Sequence, residues 1–226
     1  GKTFDPHSTT ETYAAVRLGV DAACVMVGNG SENLLEVLSL AFLEPGDRVV
    51  TQTPSFGLHV IYPQMMGAVV ETIGLDEQLG YAVDRWLEAA ASAPKMLILC
   101  NPSNPVGCRY DAEAFARIVA AVHPETLLVI DEAYYEYAVL EPGFPDALAV
   151  LRDFPGSWVV LRTFSKAWGL AGLRVGYGIA SDAALAGIGE RVRTPFNINQ
   201  AAQTAALAAW NDPGHMQRAA ADTVRE

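Results

Sequence analysis

Leu161-Arg162-Thr163-Phe164-Ser165-Lys166-Ala167-Trp168-Gly169-Leu170-Ala171-Gly172-Leu173-Arg174 joins two apolar runs, Trp158 to Leu161 and Val175 to Ala180. The stretch reads as strand, glycine-broken turn, strand, with the second strand spanning Leu173 to Ala180. The connection is too short for a full crossover, so the second strand is expected to run antiparallel to the first. A lone lysine is ordinarily a solvated surface charge. Lys166 is different, because it follows a hydroxyl residue inside a rigid turn between two buried strands.

An amine that attacks a carbonyl must be partly desolvated, close to hydroxyl donors, and fixed in place. Arg174 follows shortly after, and its planar fork of donors matches phosphate oxygens. Lys166, flanked by Thr163, Ser165 and Arg174, therefore suggests a lysine Schiff base to pyridoxal phosphate. The two hydroxyls and the guanidinium would grip the phosphate.

Outward from this stretch, β-branched apolar runs alternate with helical patterns, the signature of βαβ units and a mainly parallel sheet. Strands are expected at Arg48–Thr51, Ala68–Ile73, Met96–Cys100 and Thr126–Ile130. Helices are expected at 31–43, about 55–66, 84–92, 111–122, 182–192, 199–210 and from Pro213 onward. Thr126 to Ile130 is an unbroken aliphatic run, which marks burial on both faces. The alanine-rich stretch 201–209 suits a helix–helix contact. No linker tract divides the chain, so residues 1–226 are read as one domain.

The chain has 226 residues, 51% of them hydrophobic, enough for a sizeable core. A net charge of −11 argues against nucleic acid and against anionic membrane surfaces. Three cysteines, Cys24, Cys100 and Cys108, form no CxxC pair, so reduced thiols are expected rather than disulfides or zinc. His7, His59, His123 and His215 show no metal-ligand spacing, and no metal is expected. No run approaches the roughly 18 apolar residues of a membrane span. Gly1-Lys2-Thr3-Phe4-Asp5-Pro6 lacks the apolar core of a signal peptide, which points to a cytoplasmic protein.

Further constellations carry chemistry. Gly28-Asn29-Gly30-Ser31-Glu32 precedes the first long helix, where backbone amides and the helix dipole attract an anion. Gly30, Ser31 and Glu32 would cradle a phosphate there. Asn101-Pro102-Ser103-Asn104-Pro105-Val106-Gly107 follows a buried strand, and its prolines stiffen a turn that aims the Asn104 amide. Asp131, in Asp131-Glu132-Ala133-Tyr134, lies at a parallel strand's carboxyl end, where α/β sheets bind ligands. It would pair with a protonated pyridine nitrogen, and Tyr134 would reach the ring oxygen. Phe56, in Thr53-Pro54-Ser55-Phe56-Gly57, can stack on a flat heterocycle. Asp76-Glu77 and the Glu132/Glu136 pair read as solvated or turn charges. No G-x-S-x-G elbow, Walker lysine or GxGxxG fingerprint is present, which disfavours a Rossmann-type nucleotide binder.

Taken in order, these motifs resemble those of fold-type-I pyridoxal-phosphate aminotransferases, and most of all the histidinol-phosphate aminotransferase branch. The likeness runs from about Asp5 to the helix after Pro195-Phe196-Asn197-Ile198-Asn199. It implies a three-layer α-β-α sandwich around a mainly parallel seven-stranded sheet, the large domain that binds pyridoxal 5′-phosphate. It also implies that Lys166 carries the cofactor and shuttles a proton. Asp131 would meet the ring nitrogen, Asn104 and Tyr134 the ring oxygen, and Phe56 the ring face. Gly30, Ser31, Glu32, Thr163, Ser165 and Arg174 would hold the phosphate. An amino donor, a 2-oxo acid and a homodimeric partner follow from the same resemblance.

Phe56 stands where the family often has tyrosine. Thr3 occupies the place of a tyrosine that reaches the partner subunit's phosphate. Family members also carry an N-terminal arm and a C-terminal small domain, whose arginine clamps the substrate carboxylate. The resemblance leaves two alternatives: a decarboxylase of a phosphorylated amino acid, and a large-domain fragment that binds cofactor without turnover.

Overall fold

The computed structural model describes residues Thr9–Arg225. In chain order, α1 (Thr9–Leu18) and a short 3-10 turn (Ala22–Cys24) lead into β1 (Val25–Gly28) and α2 (Ser31–Phe42). Next come β2 (Arg48–Thr53), α3 (Leu58–Met65), β3 (Val69–Gly74), α4 (Val83–Ala91), β4 (Met96–Cys100) and α5 (Ala112–Ala121). β5 (Leu127–Asp131) is followed by two short helices, α6 (Tyr135–Ala138) and α7 (Ala147–Leu151). β6 (Trp158–Thr163) and β7 (Gly176–Ala180) precede α8 (Ala183–Val192), α9 (Gln200–Asn211) and α10 (Pro213–Arg225).

The strands form one seven-stranded sheet in the order β1-β7-β6-β5-β4-β2-β3. β7 runs antiparallel to both neighbours, β6 and β1, and the remaining pairs are parallel. The antiparallel step expected after Lys166 is therefore present. Its strand begins at Gly176 rather than Leu173, because Ala171–Leu173 closes a 3-10 turn and Arg174 takes a left-handed backbone (φ 58°).

Alternate residues of the central strands feed two separate cores. Leu97, Leu99, Leu128 and Ile130 face a core with Trp86 of α4, Phe115 and Ile118 of α5, and Trp210 of α9. Met96, Ile98, Leu127 and Val129 face the other, with Leu34, Leu35 and Leu38 of α2 and Leu185 of α8. Burial on both faces is the reason these strands read as unbroken aliphatic runs. The layers are helix, sheet, helix. α9 packs against α1, the contact its alanine-rich sequence anticipates.

β1 escapes a reading of the chain. It has only four residues, Val25-Met26-Val27-Gly28, and runs directly into the glycine turn before α2. The expectation of solvated charges at Glu132 and Glu136 is corrected: their exposures are 0% and 4%. Glu132 pairs with Arg162 and Glu136 accepts from Trp168, partners far along the chain.

Candidate active site

Strand register sets the site. Cys100 lies opposite Asp131, Asp131 opposite Leu161, Thr163 opposite Gly176, and Gly176 opposite Gly28. The carboxyl ends of β4, β5, β6 and β1 thus converge, the position where open α/β sheets bind ligands. A cavity of about 180 Å³ opens there, and of the residues singled out from sequence all but Gly30 line it. Cys100 and Ala133 also line it and were not foreseen.

One end of the cavity is built for an anion. Gly30 caps α2, which starts at Ser31, with no side-chain hydrogen bond, so the first backbone amides of the helix are left for a ligand. Gly30 has φ +81°, and a Cβ there would lie 2.5 Å from Arg174 Nη2. Its missing side chain is what lets the guanidinium lie against the turn. Arg174 Nη1 donates to Ser165 Oγ (3.4 Å), and Nη2 donates to Asn29 O (3.3 Å) and Glu32 Oε2 (3.2 Å). The half-exposed Glu32 carboxylate is the one group here that competes with an incoming anion. Thr163 and Ser165 join through a 3.0 Å hydroxyl contact, and Ser165 N donates back to Thr163 Oγ1 (3.1 Å).

Lys166 follows directly. Phe164 is fully buried and packs on Trp168, Tyr177 and Trp210 at ring separations of 5.6, 5.8 and 4.8 Å. Gly169 N returns to Lys166 O (2.9 Å) with Gly169 at φ +72°, which closes the turn. The lysine is thus anchored from below and free above. Its Nζ lies 5.1 Å from the centroid of the Tyr134 ring.

The opposite end is acidic. Asp131 is 3% exposed. Its Oδ1 accepts from Ala133 N (3.0 Å), and its Oδ2 lies 2.8 Å from His59 Nε2. His59 Nδ1 in turn lies 2.7 Å from Ser55 Oγ. The network assigns the tautomer: Ser55 donates to Nδ1, and Nε2–H donates to the carboxylate. Each carboxylate oxygen keeps a lone pair for one further donor in the cavity. Phe56 packs edge-on to His59 at 5.7 Å, so one turn of chain supplies both a flat face and the aspartate's partner.

Asn104 reaches the cavity from a braced turn. Ser103 N donates to Cys108 O (2.8 Å), Tyr110 N donates to Asn101 Oδ1 (3.0 Å), and Gln52 Nε2 donates to Ser103 Oγ (3.0 Å). Tyr81 donates to Cys100 O and stacks on Tyr110 at 3.9 Å.

His59 is the functional residue the sequence reading missed. His59, Cys100 and Asp131 each bring a potential metal-ligand atom within 4.8 Å of the others. His59 and Asp131 are already bonded to each other, and burial pushes the Cys100 thiol well up, so it stays protonated. His59 and Asp131 therefore read as a hydrogen-bonded pair, and the Cys100 thiol donates elsewhere, to Pro102 O at 3.3 Å.

A cavity with an anion cradle, a fixed lysine amine, a flat aromatic and a buried carboxylate defines a site for an anionic, carbonyl-bearing heterocycle. Comparison with known proteins agrees. The aminotransferase class I and II family matches residues 5–226, and the chain belongs to that family. It is 47% identical over 204 residues to histidinol-phosphate aminotransferase 3 of Rhizobium meliloti (strain 1021), covering 90% of this chain and 55% of that protein. It is 41% identical over 223 residues to histidinol-phosphate aminotransferase 2 of Caulobacter vibrioides, covering 98% and 58%. The chain thus spans little more than half the length of these relatives.

Among solved structures, a histidinol-phosphate aminotransferase from Sinorhizobium meliloti in complex with pyridoxal-5′-phosphate superposes with a TM-score of 0.85 at 29% identity, covering 93% of this chain and 56% of that one. An L-threonine-O-3-phosphate decarboxylase from Porphyromonas gingivalis does so with a TM-score of 0.79 at 26% identity, covering 93% and 63%. Thr3, which the resemblance sets in the place of a cross-subunit tyrosine, lies outside the described residues.

Proposed function

We propose that residues 1–226 form the pyridoxal 5′-phosphate-binding large domain of an aminotransferase. The enzyme would move an amino group between an amino donor, with histidinol phosphate favoured by its relatives, and a 2-oxo acid. The observation that carries this reading is the placement of Lys166 between an anion cradle and a buried aspartate in one cavity.

When bound, the cofactor supplies a carbonyl carbon for amines and a conjugated ring that takes up negative charge from the donor's Cα. The chain's residues do the rest. Lys166 Nζ would hold the cofactor covalently and, when free, would take and return the Cα proton. Asp131, held by His59 and Ala133 N, would accept from the ring N–H. Asn104 and Tyr134 would donate to the ring oxygen, and Phe56 would cover one ring face. Gly30, Ser31 and Glu32 contribute the helix-end amides, while Thr163, Ser165 and Arg174 contribute side-chain donors to the phosphate.

The protein is further read as a cytoplasmic homodimer. Family likeness supports the dimer. The three free cysteines and the net charge of −11 are compatible with that compartment. Among the described residues, no helix is long and apolar enough to cross a membrane.

Titrating the purified chain with pyridoxal phosphate should give a visible absorption band that borohydride abolishes. Peptide mapping of the reduced protein should then place the label on Lys166, and Lys166→Ala should give neither. A label on another side chain overturns the assignment. The likeness to the threonine-phosphate decarboxylase favours a second reading, in which the same cofactor site releases CO₂ from a phosphorylated amino acid. In a protein carrying the whole family length, glutamate formation from 2-oxoglutarate supports transfer, and CO₂ release supports the second reading.

A further inference from the structure

Trp168 Nε1 donates to Glu136 Oε1 at 2.8 Å, and both residues are buried. The bond joins the two segments that carry the site's reactive groups. Glu136 is two residues beyond Tyr134, in the loop and short helix after β5. Trp168 is two residues beyond Lys166, in the turn after β6. No strand pairing reaches this far, because the β5–β6 register ends at Asp131 opposite Leu161. Glu132 and Arg162 tie the segments one step nearer the sheet, through contacts of 2.9 and 2.8 Å. Beyond them, among the described residues, the Glu136–Trp168 bond is the side-chain hydrogen bond that joins the two segments beside Lys166, whose Nζ stands 5.1 Å from the Tyr134 ring.

We infer that Glu136 and Trp168 are a positioning pair, which fixes the height of the Lys166 turn against the Tyr134 segment and so aims the amine at the cofactor's carbonyl carbon. The inference rests on the reading of Lys166 as the attachment site. Neither residue lines the cavity. They act through the geometry of their neighbours, and a buried bond from an indole N–H to a carboxylate is both directional and charge-assisted. The phosphate cradle is anchored elsewhere, on α2 and Arg174. Loosening the pair should therefore misplace the amine while leaving phosphate binding intact. A positional error of about 1 Å at a reacting group is enough to slow its chemistry strongly.

Trp168→Phe keeps the ring packing on Phe164 and deletes the donor. Glu136→Leu deletes the acceptor, and Glu136→Gln keeps one. Two ligands are compared on each variant: pyridoxal phosphate, which can bond to Lys166, and pyridoxine phosphate, which has no aldehyde and cannot. Wild type should form the borohydride-fixable adduct. Trp168→Phe and Glu136→Leu should each form it about tenfold more slowly while binding pyridoxine phosphate within about twofold of wild type. Glu136→Gln should restore the rate, and the double variant Trp168→Phe/Glu136→Leu should be no slower than either single one.

Equal losses for both ligands would mean that the pair merely supports the fold, and would overturn the inference. Unchanged adduct formation in Trp168→Phe would do the same. Should Glu136→Leu fail to fold, Trp168→Phe and Glu136→Gln decide the matter alone. A wild-type chain that binds pyridoxine phosphate but forms no adduct at Lys166 removes the attachment reading and this inference together.

Discussion

Arg162 Nη2 lies 2.8 Å from Glu132 Oε2, with the two side chains 3% and 0% exposed. Arg162 also covers the Tyr135 ring at 3.5 Å. Burial pushes the Glu132 carboxyl up and Arg162 pulls it back, while burial opposes the charge on Arg162 and Glu132, together with Tyr177 and Tyr135, more than offsets that. Each partner is adjacent to a site residue, Glu132 to Asp131 and Arg162 to Thr163. Removing one charge strands the other in the interior. Arg162→Met should therefore cost about 3–5 kcal/mol of stability, and Arg162→Met/Glu132→Leu distinctly less. Urea unfolding of the three proteins checks this, and equal losses in both variants would contradict it.

Burial also raises the Glu136 carboxyl above its ordinary value of 4.5, with the Trp168 bond working in the opposite direction. A carboxyl raised in the folded state binds its proton more tightly there than in the unfolded chain. Its stabilising contribution is complete below the ordinary glutamate range and is lost as pH rises through the raised value. Glu136→Gln removes the titration and retains an acceptor. The variant's melting temperature relative to wild type should climb between acid and neutral pH. A difference independent of pH would refute the assignment.

The alternation of strands and helices was legible because burial on both faces of Met96–Cys100 and of residues 127–130 leaves no polar position to disguise them. Apart from Cys100 and Ala133, the residues that line the cavity could be singled out because each belongs to a short local motif at a strand end or helix start. What escaped is non-local. His59 finds Asp131 72 residues away, and a search for metal-ligand spacing asks only about neighbours. Glu132 and Glu136 find Arg162 and Trp168 at separations of 30 and 32 residues, so nothing beside them in the chain signals burial. The spacing Ser55, Phe56, His59 was the available hint, since it puts three side chains on one turn of chain.

His59 holds Asp131 by one hydrogen bond, and Phe at that position would keep the edge contact with Phe56 but donate nothing. His59→Phe should leave a buried carboxylate oxygen unpaired, at a cost of about 1–3 kcal/mol. Without that partner the Asp131 carboxylate is no longer fixed in its place in the cavity, and its contact with the cofactor's ring nitrogen should weaken. Nitrogen NMR of cofactor labelled at the ring nitrogen reads that change directly. His59→Gln, which retains a donor, should resemble wild type. An unchanged nitrogen signal in His59→Phe would disprove the role.

Two glycines at the anion cradle should fail in different ways when changed to alanine. At Gly30 the backbone (φ 81°, ψ 164°) lies in a region that only glycine enters easily, which costs about 1–3 kcal/mol for another residue. The new Cβ would meet Arg174 Nη2, the far end of a flexible side chain that can swing away. At Gly176 the Cβ would lie 2.4 Å from Ser31 N and 2.7 Å from Gly30 C, both backbone atoms. β7 or the start of α2 must then move, because no rotamer relieves the clash. Gly30→Ala should fold with modest loss of stability and bind pyridoxal phosphate weakly through a displaced Arg174. Gly176→Ala should lose more stability and distort the helix-end amides themselves. Thermal unfolding with and without pyridoxal phosphate separates the two. A larger cofactor-dependent shift in Gly176→Ala than in Gly30→Ala would mean that the amides of α2, rather than Arg174, contribute little to holding the phosphate.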